Sequence, residues 1–314
     1  MIDISVIIVN WNTKALLLDC VESLYQTTKH SSFEIIVVDN ASTDGSTDAL
    51  RKRFPHVHSI VNPSNFGFAK ANNIGIKKAQ GRYVCLVNSD VKALDGVLDK
   101  MLASIESHPE IGALAPKTFG RNMQIQKNCR EFPTLRNVFC EAFFLNKLFP
   151  TIGVFRGRDM VQHDYDVMME IEVLSGCFLM VRQEVIEQVG ALDERFFFYC
   201  EDVDWCKRIR DAGWKLVYYP GAETIHFGHG SSSNTSIRFR LEMLKANWQY
   251  WKKHHGMLEC ILFRLIELIG SLVRATGWFA VFMIASSRRP TAKMMMTAYG
   301  KMLVWLVYLR QSKE

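Results

Sequence analysis

The sequence predicts an α/β fold: a mostly parallel sheet flanked by helices, followed by a C-terminal helical region. Three observations carry this. Short β-branched apolar runs alternate with helical patterns over residues 1–115, polar and acidic clusters stand where those runs end, and from Arg238 the pattern is helical throughout. Ile4–Val9 (ISVIIV), Glu34–Asp39 (EIIVVD) and Tyr83–Val87 (YVCLV) are apolar along nearly their whole length, and Val57–Val61 is a weaker version. Runs of that length fit strands buried on both faces. Between the first two, Thr13–Thr28 sets Leu16, Leu17, Cys20, Leu24 and Tyr25 on one face at helical period, with Asn12 or Thr13 as N-cap. A second helix is expected after Ser46 and a third over Phe68–Ala79. This β-α-β-α-β rhythm implies parallel strands, with ligands at their carboxyl ends. Residues 117–170, basic around Arg121–Arg136, read as a loop-rich insertion. Ile171–Val181 (IEVLSGCFLMV) then reads as a strand with an irregularity at Ser175-Gly176, Val203–Ala212 as a helix, and Lys215–Tyr219 as a strand closed by Pro220-Gly221.

With 314 residues, 48% of them hydrophobic, the chain can bury one large core or two small ones. A charged fraction of 22% argues against wholesale disorder. The net charge of +6 is uneven: residues 238–314 hold 13 Lys and Arg against 4 Asp and Glu, and the remainder holds 25 against 28. A basic end on a near-neutral body points to an anionic surface, membrane or nucleic acid. Nucleic acid fits poorly, because these basic residues are interleaved with long apolar stretches and line no polar face. The eight cysteines form no C-x-x-C pair and no zinc spacing, so reduced, buried thiols are expected. Met1-Ile2-Asp3-Ile4-Ser5 lacks the basic start and cleavage site of a signal peptide and reads as the approach to a first strand.

In Leu258–Thr276 the polar residues Arg264, Glu267, Ser271 and Arg274 form one narrow stripe on an otherwise apolar helix. The longest charge-free stretch, Ala275–Ser287, has 13 residues, too few for a span that needs about 20. Met294–Arg310 adds Trp305 and Tyr308 beside Lys293, Lys301 and Arg310. Apolar faces flanked by basic and aromatic residues suit helices lying in a membrane interface. Packing on the body, or against a second copy as a homodimer, is the alternative.

Several clusters can carry chemistry. Asp39 in Val38–Ser46 (VDNASTDGS) can accept hydrogen bonds from a ribose or base, although Asp, Ser and Thr also make plain capping turns. Asn65–Gly75 (NFGFAKANNIG) opens a helix whose N-terminus favours an anion, with Gly67 allowing close backbone approach. Asn88-Ser89-Asp90 ends a strand, where Asp90 can give one oxygen ligand to a hard cation. Glu201-Asp202-Val203-Asp204 sets three carboxylates in four positions, tolerated at a helix N-terminus and suited to a base of raised pKa. The preceding Phe196–Tyr199 can form a dry wall or a sugar-stacking face. In Ile225–Ser231 (IHFGHGS), His226 can complete a metal site with Asp90, and the Gly/Ser loop can touch phosphate.

These clusters, in this order, resemble family 2 glycosyltransferases. The matching pieces are VIIVNWNT (Val6–Thr13), VVDNASTDGS (Val37–Ser46), NFGFAKANNIG (Asn65–Gly75), LVNSD (Leu86–Asp90), SGCFLMVR (Ser175–Arg182), LDERFFFYCEDVDWCKRIRDAGW (Leu192–Trp214) and IHFGHGSS (Ile225–Ser232). Each is weak alone; seven in order are specific. The pattern looks most like bacterial rhamnosyltransferases acting on lipid-linked glycans. The resemblance implies the GT-A (Rossmann-like) fold and an inverting hexosyltransferase. Its catalytic domain would be 1–237, with a nucleotide-sugar half 1–115 and an acceptor half 116–237, before a membrane-surface or oligomer-contact region 238–314. It implies Asp39 at the base, with Asn10, Asn65, Gly67, Lys70, Asn88 and Ser89 around the nucleotide-sugar. Asn88-Ser89-Asp90 stands at the D-x-D position with Asn in place of its first acid, which leaves Asp90, with His226, to hold Mg²⁺ or Mn²⁺. Asp202 would be the catalytic base with Glu201 beside it. The implied partners are a nucleotide-diphosphate sugar (best guess dTDP-rhamnose), a lipid-linked or polysaccharide acceptor and an anionic membrane. The place is the cytoplasmic face of a bacterial inner membrane, held peripherally during cell-envelope glycan synthesis.

Two rivals differ in kind. A sugar nucleotidyltransferase would carry a Gly-rich, basic phosphate loop after the first strand, where Asn10-Trp11-Asn12-Thr13 stands here. A non-catalytic assembly protein with a sugar-nucleotide fold would have no need of the Glu201–Asp204 cluster.

Overall fold

The structure, a computed structural model, describes residues 2–126, 129–160, 163–228 and 237–308. It divides into two compact units, Met1–Phe132 with Asp159–Ser232, and Pro133–Arg158 with Ser233–Glu314.

The first unit is built on a nine-stranded sheet. Strands β1 (Ile4–Asn10), β2 (Phe33–Asp39), β3 (His58–Val61) and β4 (Tyr83–Asn88) are joined by α1 (Lys14–Thr27), α2 (Ser46–Arg53) and α3 (Phe68–Ile76). Then come β5 (Val91–Ala93), α4 (Val97–Glu106) and β6 (Ile111–Phe119). Two short helices, α5 (Leu135–Ala142) and α6 (Leu145–Leu148), belong to the second unit. The first unit resumes with β7 (Met169–Glu170), β8 (Phe178–Arg182), α7 (Gln183–Val189), α8 (Glu201–Asp211) and β9 (Lys215–His226). Strand order is β3-β2-β1-β4-β8-β6-β9-β5, with β7 also on β9. The first four strands are parallel, as expected. Beyond β4 the ladder is mixed: β8 runs antiparallel to both β4 and β6, while β6 and β9 are parallel. The alternation of short apolar runs and helices captured the parallel part because β1, β2 and β4 are buried on both faces.

Local chemistry refines several expectations. α1 begins after Thr13, but no side chain caps it at that position; the Lys14 N–H donates instead to Asp44 (2.8 Å), which also accepts from Ser46. Tyr25 lies outside the buried face of α1 and stacks in the open against Phe33 and Phe54. Ile171–Val181 is not one strand: Ile171 and Val173 bond to Leu216 and Arg130 as isolated contacts, and regular pairing begins at Phe178. Pro220-Gly221 does not close β9, which continues to His226 across a shift of register opposite Pro116/Lys117. That continuation is what carries His226 to the end of β5.

In the second unit, α9 (Ile237–His254), α10 (Met257–Ile284) and α11 (Arg289–Tyr308) pack with one another, and α10 also packs on α5. Leu244, Met295, Tyr299, Met302 and Leu306 form its core, with Leu268, Trp278 and Trp305 packed against them. Part of the expected loop-rich insertion therefore belongs here, because the buried face of α5 (Asn137, Val138, Cys140, Ala142) is covered by α10. Gly270 of α10 lies so close to Ala142 that an added Cβ would stand 3.0 Å from it. The polar stripe of α10 turns inward. Arg264 donates to the carbonyls of Leu306 and Val307, Arg274 donates to the carbonyl of Glu141, and Ser271 is buried. Leu258, Ile261, Leu265, Ile269, Leu272, Phe279 and Ile284 are exposed. Because Arg274 is satisfied internally, the helix continues through it for 28 residues and is long and apolar enough to cross a membrane. The charge-free stretch of 13 residues thus understates the apolar helix. Arg310 lies outside the described residues.

Candidate active site

The carboxyl ends of β1, β2 and β4 are joined by one chain of hydrogen bonds. The Asp39 carboxylate accepts from the Asn10 amide (2.7 Å) and from the Ser42 N–H (2.8 Å). Asn10 Oδ1 accepts from Thr13 Oγ1 (2.7 Å), and Thr13 shares a second hydrogen bond with Ser89 (2.7 Å). The Asn10 amide also donates to Ser46. Asn10, Asp39 and Ser89, all expected at the nucleotide-sugar, are buried in this network. Thr13, expected only as a cap, is the link between two of them. Such a network is rigid because each member is fixed by the next.

Asn65, Gly67 and Lys70 gather at the start of α3. The Gly67 N–H donates to Asn65 Oδ1, and Lys70 is exposed with its ammonium 4.4 Å from the Phe66 ring centre. The close approach that Gly67 permits is made by the protein itself. Its φ is +82°, and an added Cβ would stand 2.3 Å from the carbonyl oxygen of Phe197. That oxygen accepts the first helical N–H, from Phe68 (2.7 Å). Asn88 stands at the end of β4, two residues before Asp90.

The Phe197 contact ties the aromatic run to α3 just before the acidic cluster. Phe198 sits edge-on to Phe68, and Tyr199 and Cys200 both adopt positive φ as the chain turns into α8. Non-glycine residues rarely hold that conformation. The three carboxylates that follow are separated in role. Asp204 is buried and paired with Arg208 (2.9 Å), whose other nitrogens donate to the carbonyls of Val189, Gly190 and Ala191. Glu201 is buried, and its Oε2 has no hydrogen-bond partner among the described residues. Burial, and after it the Asp202 charge, pushes the Glu201 carboxyl well above its ordinary value. Asp202 is half-buried and accepts from the N–H groups of Gly176 (3.3 Å) and Val203 (2.8 Å). The Ser175-Gly176 irregularity is therefore the place where the backbone meets Asp202.

Asp90 and His226 are brought together by the antiparallel pairing of β5 with β9, which sets Val91 opposite His226. The Phe227 N–H donates to the Asp90 carbonyl, and His226 Nε2 lies 3.3 Å from Asp90 Oδ1. Gln126, which no sequence signal singles out, holds the ring from behind. Its amide donates to the His226 carbonyl (2.9 Å), which turns its Oε1 toward Nδ1 (3.0 Å). With Gln126 Oε1 as acceptor, Nδ1 carries a proton, and Nε2 is the ring nitrogen that faces Asp90. The 3.3 Å separation of His226 Nε2 and Asp90 Oδ1 suits neighbouring ligands of an octahedral ion bound at about 2.1 Å. The donor set fits a divalent cation that takes its other ligands from water and phosphate. Among the described residues no group of three His, Cys, Asp or Glu gathers around such a site. His229 to Ser232, the expected phosphate-touching part of the loop, lie outside the described residues.

A nucleotide-type sheet, parallel over its first four strands and mixed beyond them, with an acidic helix start and an Asp-His pair at its carboxyl edge fits a glycosyltransferase of the GT-A fold. The sequence profile of glycosyl transferase family 2 matches residues 5–190, and the chain belongs to that family. Over 217 residues, 61% of this chain and 66% of the relative, it is 29% identical to an N-acetylglucosaminyl-diphospho-decaprenol L-rhamnosyltransferase of Mycobacterium tuberculosis. The chain thus spans just under two thirds of that relative. It is 25% identical to the rhamnosyltransferase WbbL of Escherichia coli, over 69% of this chain and 81% of WbbL. Among solved structures, a Pyrobaculum calidifontis mannosyltransferase in complex with GDP-Man and Mn²⁺ has the same fold. Its TM-score is 0.55 at 17% identity, covering 96% of this chain and 87% of that one.

The raised Glu201 carboxyl has a measurable consequence. The folded state holds this proton more tightly than the unfolded chain does, so Glu201 lowers stability as pH rises above about 4.3. Glu201→Gln is expected to be more stable than the wild type at pH 8. The gap should shrink as pH falls toward the ordinary carboxyl range, as read from urea midpoints across pH. A constant gap would place an unshifted carboxyl at this position.

Proposed function

We propose that the chain transfers L-rhamnose, with inversion, from dTDP-rhamnose to a hydroxyl of a lipid-linked acceptor in cell-envelope glycan synthesis. The site of action is the cytoplasmic face of a bacterial inner membrane. The observation that carries the reaction class is Asp202, a half-buried carboxylate held by the Gly176 and Val203 N–H groups at the start of α8. The sugar and the lipid-linked acceptor are supported by the rhamnosyltransferase relatives.

In this reading the network of Asp39, Asn10, Thr13 and Ser89 forms the floor for the nucleotide, with Asn65, Gly67, Lys70 and Asn88 around the nucleotide-sugar. Asp202 accepts the proton of the acceptor hydroxyl as that oxygen bonds to the anomeric carbon and the bond to the diphosphate breaks on the opposite face. The transition state has oxocarbenium character. Glu201, whose buried carboxyl favours its proton, limits the negative charge beside Asp202. Asp90 and His226 would hold Mg²⁺ or Mn²⁺, which when bound neutralises charge on the departing diphosphate. Gln126 fixes the His226 tautomer.

The exposed apolar faces of α10 and α11 and the basic residues of the same region support a peripheral position on an anionic leaflet, where each nearby Lys or Arg contributes about 1 kcal/mol.

Nucleotide diphosphate release from a panel of donors, with lipid-linked acceptors present, tests the reaction. Release from dTDP-rhamnose alone, dependent on acceptor and lost on chelation, is expected. Release from another donor would reassign the sugar. Asp202→Asn should lower turnover by about 10²–10⁴-fold, the usual worth of a general base, and near-normal turnover would remove it from that role. Gln126→Ala should raise the Mn²⁺ concentration for half-maximal turnover by about 10–100-fold, and an unchanged metal titration would leave Gln126 a purely structural residue. On vesicles, the protein should co-sediment with phosphatidylglycerol-rich membranes and be released by salt. Equal recovery in the supernatant with and without vesicles would end the membrane reading.

A further inference from the structure

The second unit contains an open cavity of about 410 Å³, within the size range of small-molecule sites. Phe139 of α5, Val154 and Phe155 of the turn Gly153–Phe155, and Leu262 and Ile266 of α10 form its hydrocarbon wall. Arg136 is the one charged residue in its lining. Polar ties on other sides keep it open. A capping box between Thr134 and Asn137 starts α5, and an Arg136 guanidinium nitrogen reaches the Gly153 carbonyl (3.4 Å). Glu141 is held by Arg158 through an ion pair and by Arg274 at its carbonyl. The hydrocarbon is thus fixed in place by bonds it does not make, and it stays uncovered among the described residues.

Two further features decide what covers it. The wall is continuous with the exposed apolar row of α10, where Leu258, Ile261 and Leu265 stand beside Leu262. Leu148, Phe149 and Ile152 are exposed on the same segment. A soluble monomer seldom leaves so much connected apolar surface in water. Charge is equally one-sided: Pro133–Arg158 carries Arg136, Lys147, Arg156 and Arg158 against Glu141 alone, which pairs with Arg158, so the segment has a net charge of +3. A ligand that matches both is a long hydrocarbon chain ending in a polyanion.

We propose that this cavity takes the hydrocarbon chain of a lipid-linked diphosphate acceptor, with the diphosphate against the basic side chains of residues 136–158. The inference rests on the lipid-linked acceptor of the proposed function and adds where this chain holds that lipid. α10 then presents its apolar face to the bilayer and one wall of the cavity to the lipid.

The test uses the full chain in nanodiscs with a diazirine-bearing polyprenyl diphosphate, its label mapped by mass spectrometry. Label is expected within residues 135–155 and 258–266, displaced by unlabelled polyprenyl diphosphate and not by inorganic diphosphate. Kinetics provide the second arm, with one acceptor sugar on a polyprenyl chain and the same sugar diphosphate on a short alkyl chain. Phe139→Gln and Val154→Gln change side chains that are 45% and 58% exposed, so the fold should survive. Each should raise KM for the long-chain acceptor about tenfold, a loss of about 1.4 kcal/mol of binding. The short-chain KM, the donor KM and kcat should not move. Label elsewhere, or equal long-chain KM in variant and wild type, overturns the cavity while leaving a lipid-linked acceptor intact. Absence of turnover on either acceptor by the wild type defeats the acceptor reading, and the label map then decides the cavity by itself. Absent label in a dimer that Phe139→Gln dissociates would assign the cavity to a second copy and overturn the proposal.

Discussion

The carbonyl of Phe197 resting on Gly67 is the contact on which the active edge depends. It satisfies the first N–H of α3, and it requires a residue without a side chain at position 67. It also anchors the aromatic segment from which Glu201 and Asp202 emerge. It sits two residues before Tyr199 and Cys200, which hold positive φ as the chain turns into α8. The nucleotide-side motif and the acidic motif, 130 residues apart in sequence, are joined by this close approach together with the Phe68–Phe198 ring contact and the hydrogen bonds of Asn73 to Leu192.

Around that contact three neighbouring carboxylic side chains are put to three uses by burial and by the partner each one meets. Glu201, Asp202 and Asp204 share the first turn of α8 and the same favourable helix dipole. Asp204 lies under an arginine and fastens α8 to the turn after α7. Glu201 has lost water without gaining a donor at Oε2, so it favours its proton. Asp202 keeps both partial exposure and backbone donors. Environment, with no change in chemistry, separates an ion-pair partner, a carboxyl that favours its proton and a half-exposed carboxylate held by backbone N–H groups.

The second unit inverts the usual pattern of a surface helix. The arginines of α10 point inward to the ends of α11 and α5, where backbone carbonyls need donors, and Leu258, Ile261, Leu265, Ile269 and Leu272 point outward. That arrangement leaves an apolar face exposed, which the proposed membrane surface would cover.

Local order in the sequence determined the parallel half of the sheet, because strands buried on both faces must be written as continuous apolar runs and their crossovers as amphipathic helices. It also determined the family, since seven motifs in fixed order identify it, and the buried, free state of the cysteines. It did not reveal β6, whose IGALAPKTF interrupts its apolar run with Gly and Pro, or the true length of β9, whose Pro-Gly imitates a stop. Only the tertiary structure decided that Gly67 faces Phe197, that Thr13 links Asn10 to Ser89, and that Gln126 stands behind His226 from 100 residues away. It alone decided that the polar stripe of α10 faces inward. These are long-range pairings, set by strand register and helix packing, and no local pattern of residues encodes which distant partner a side chain will meet.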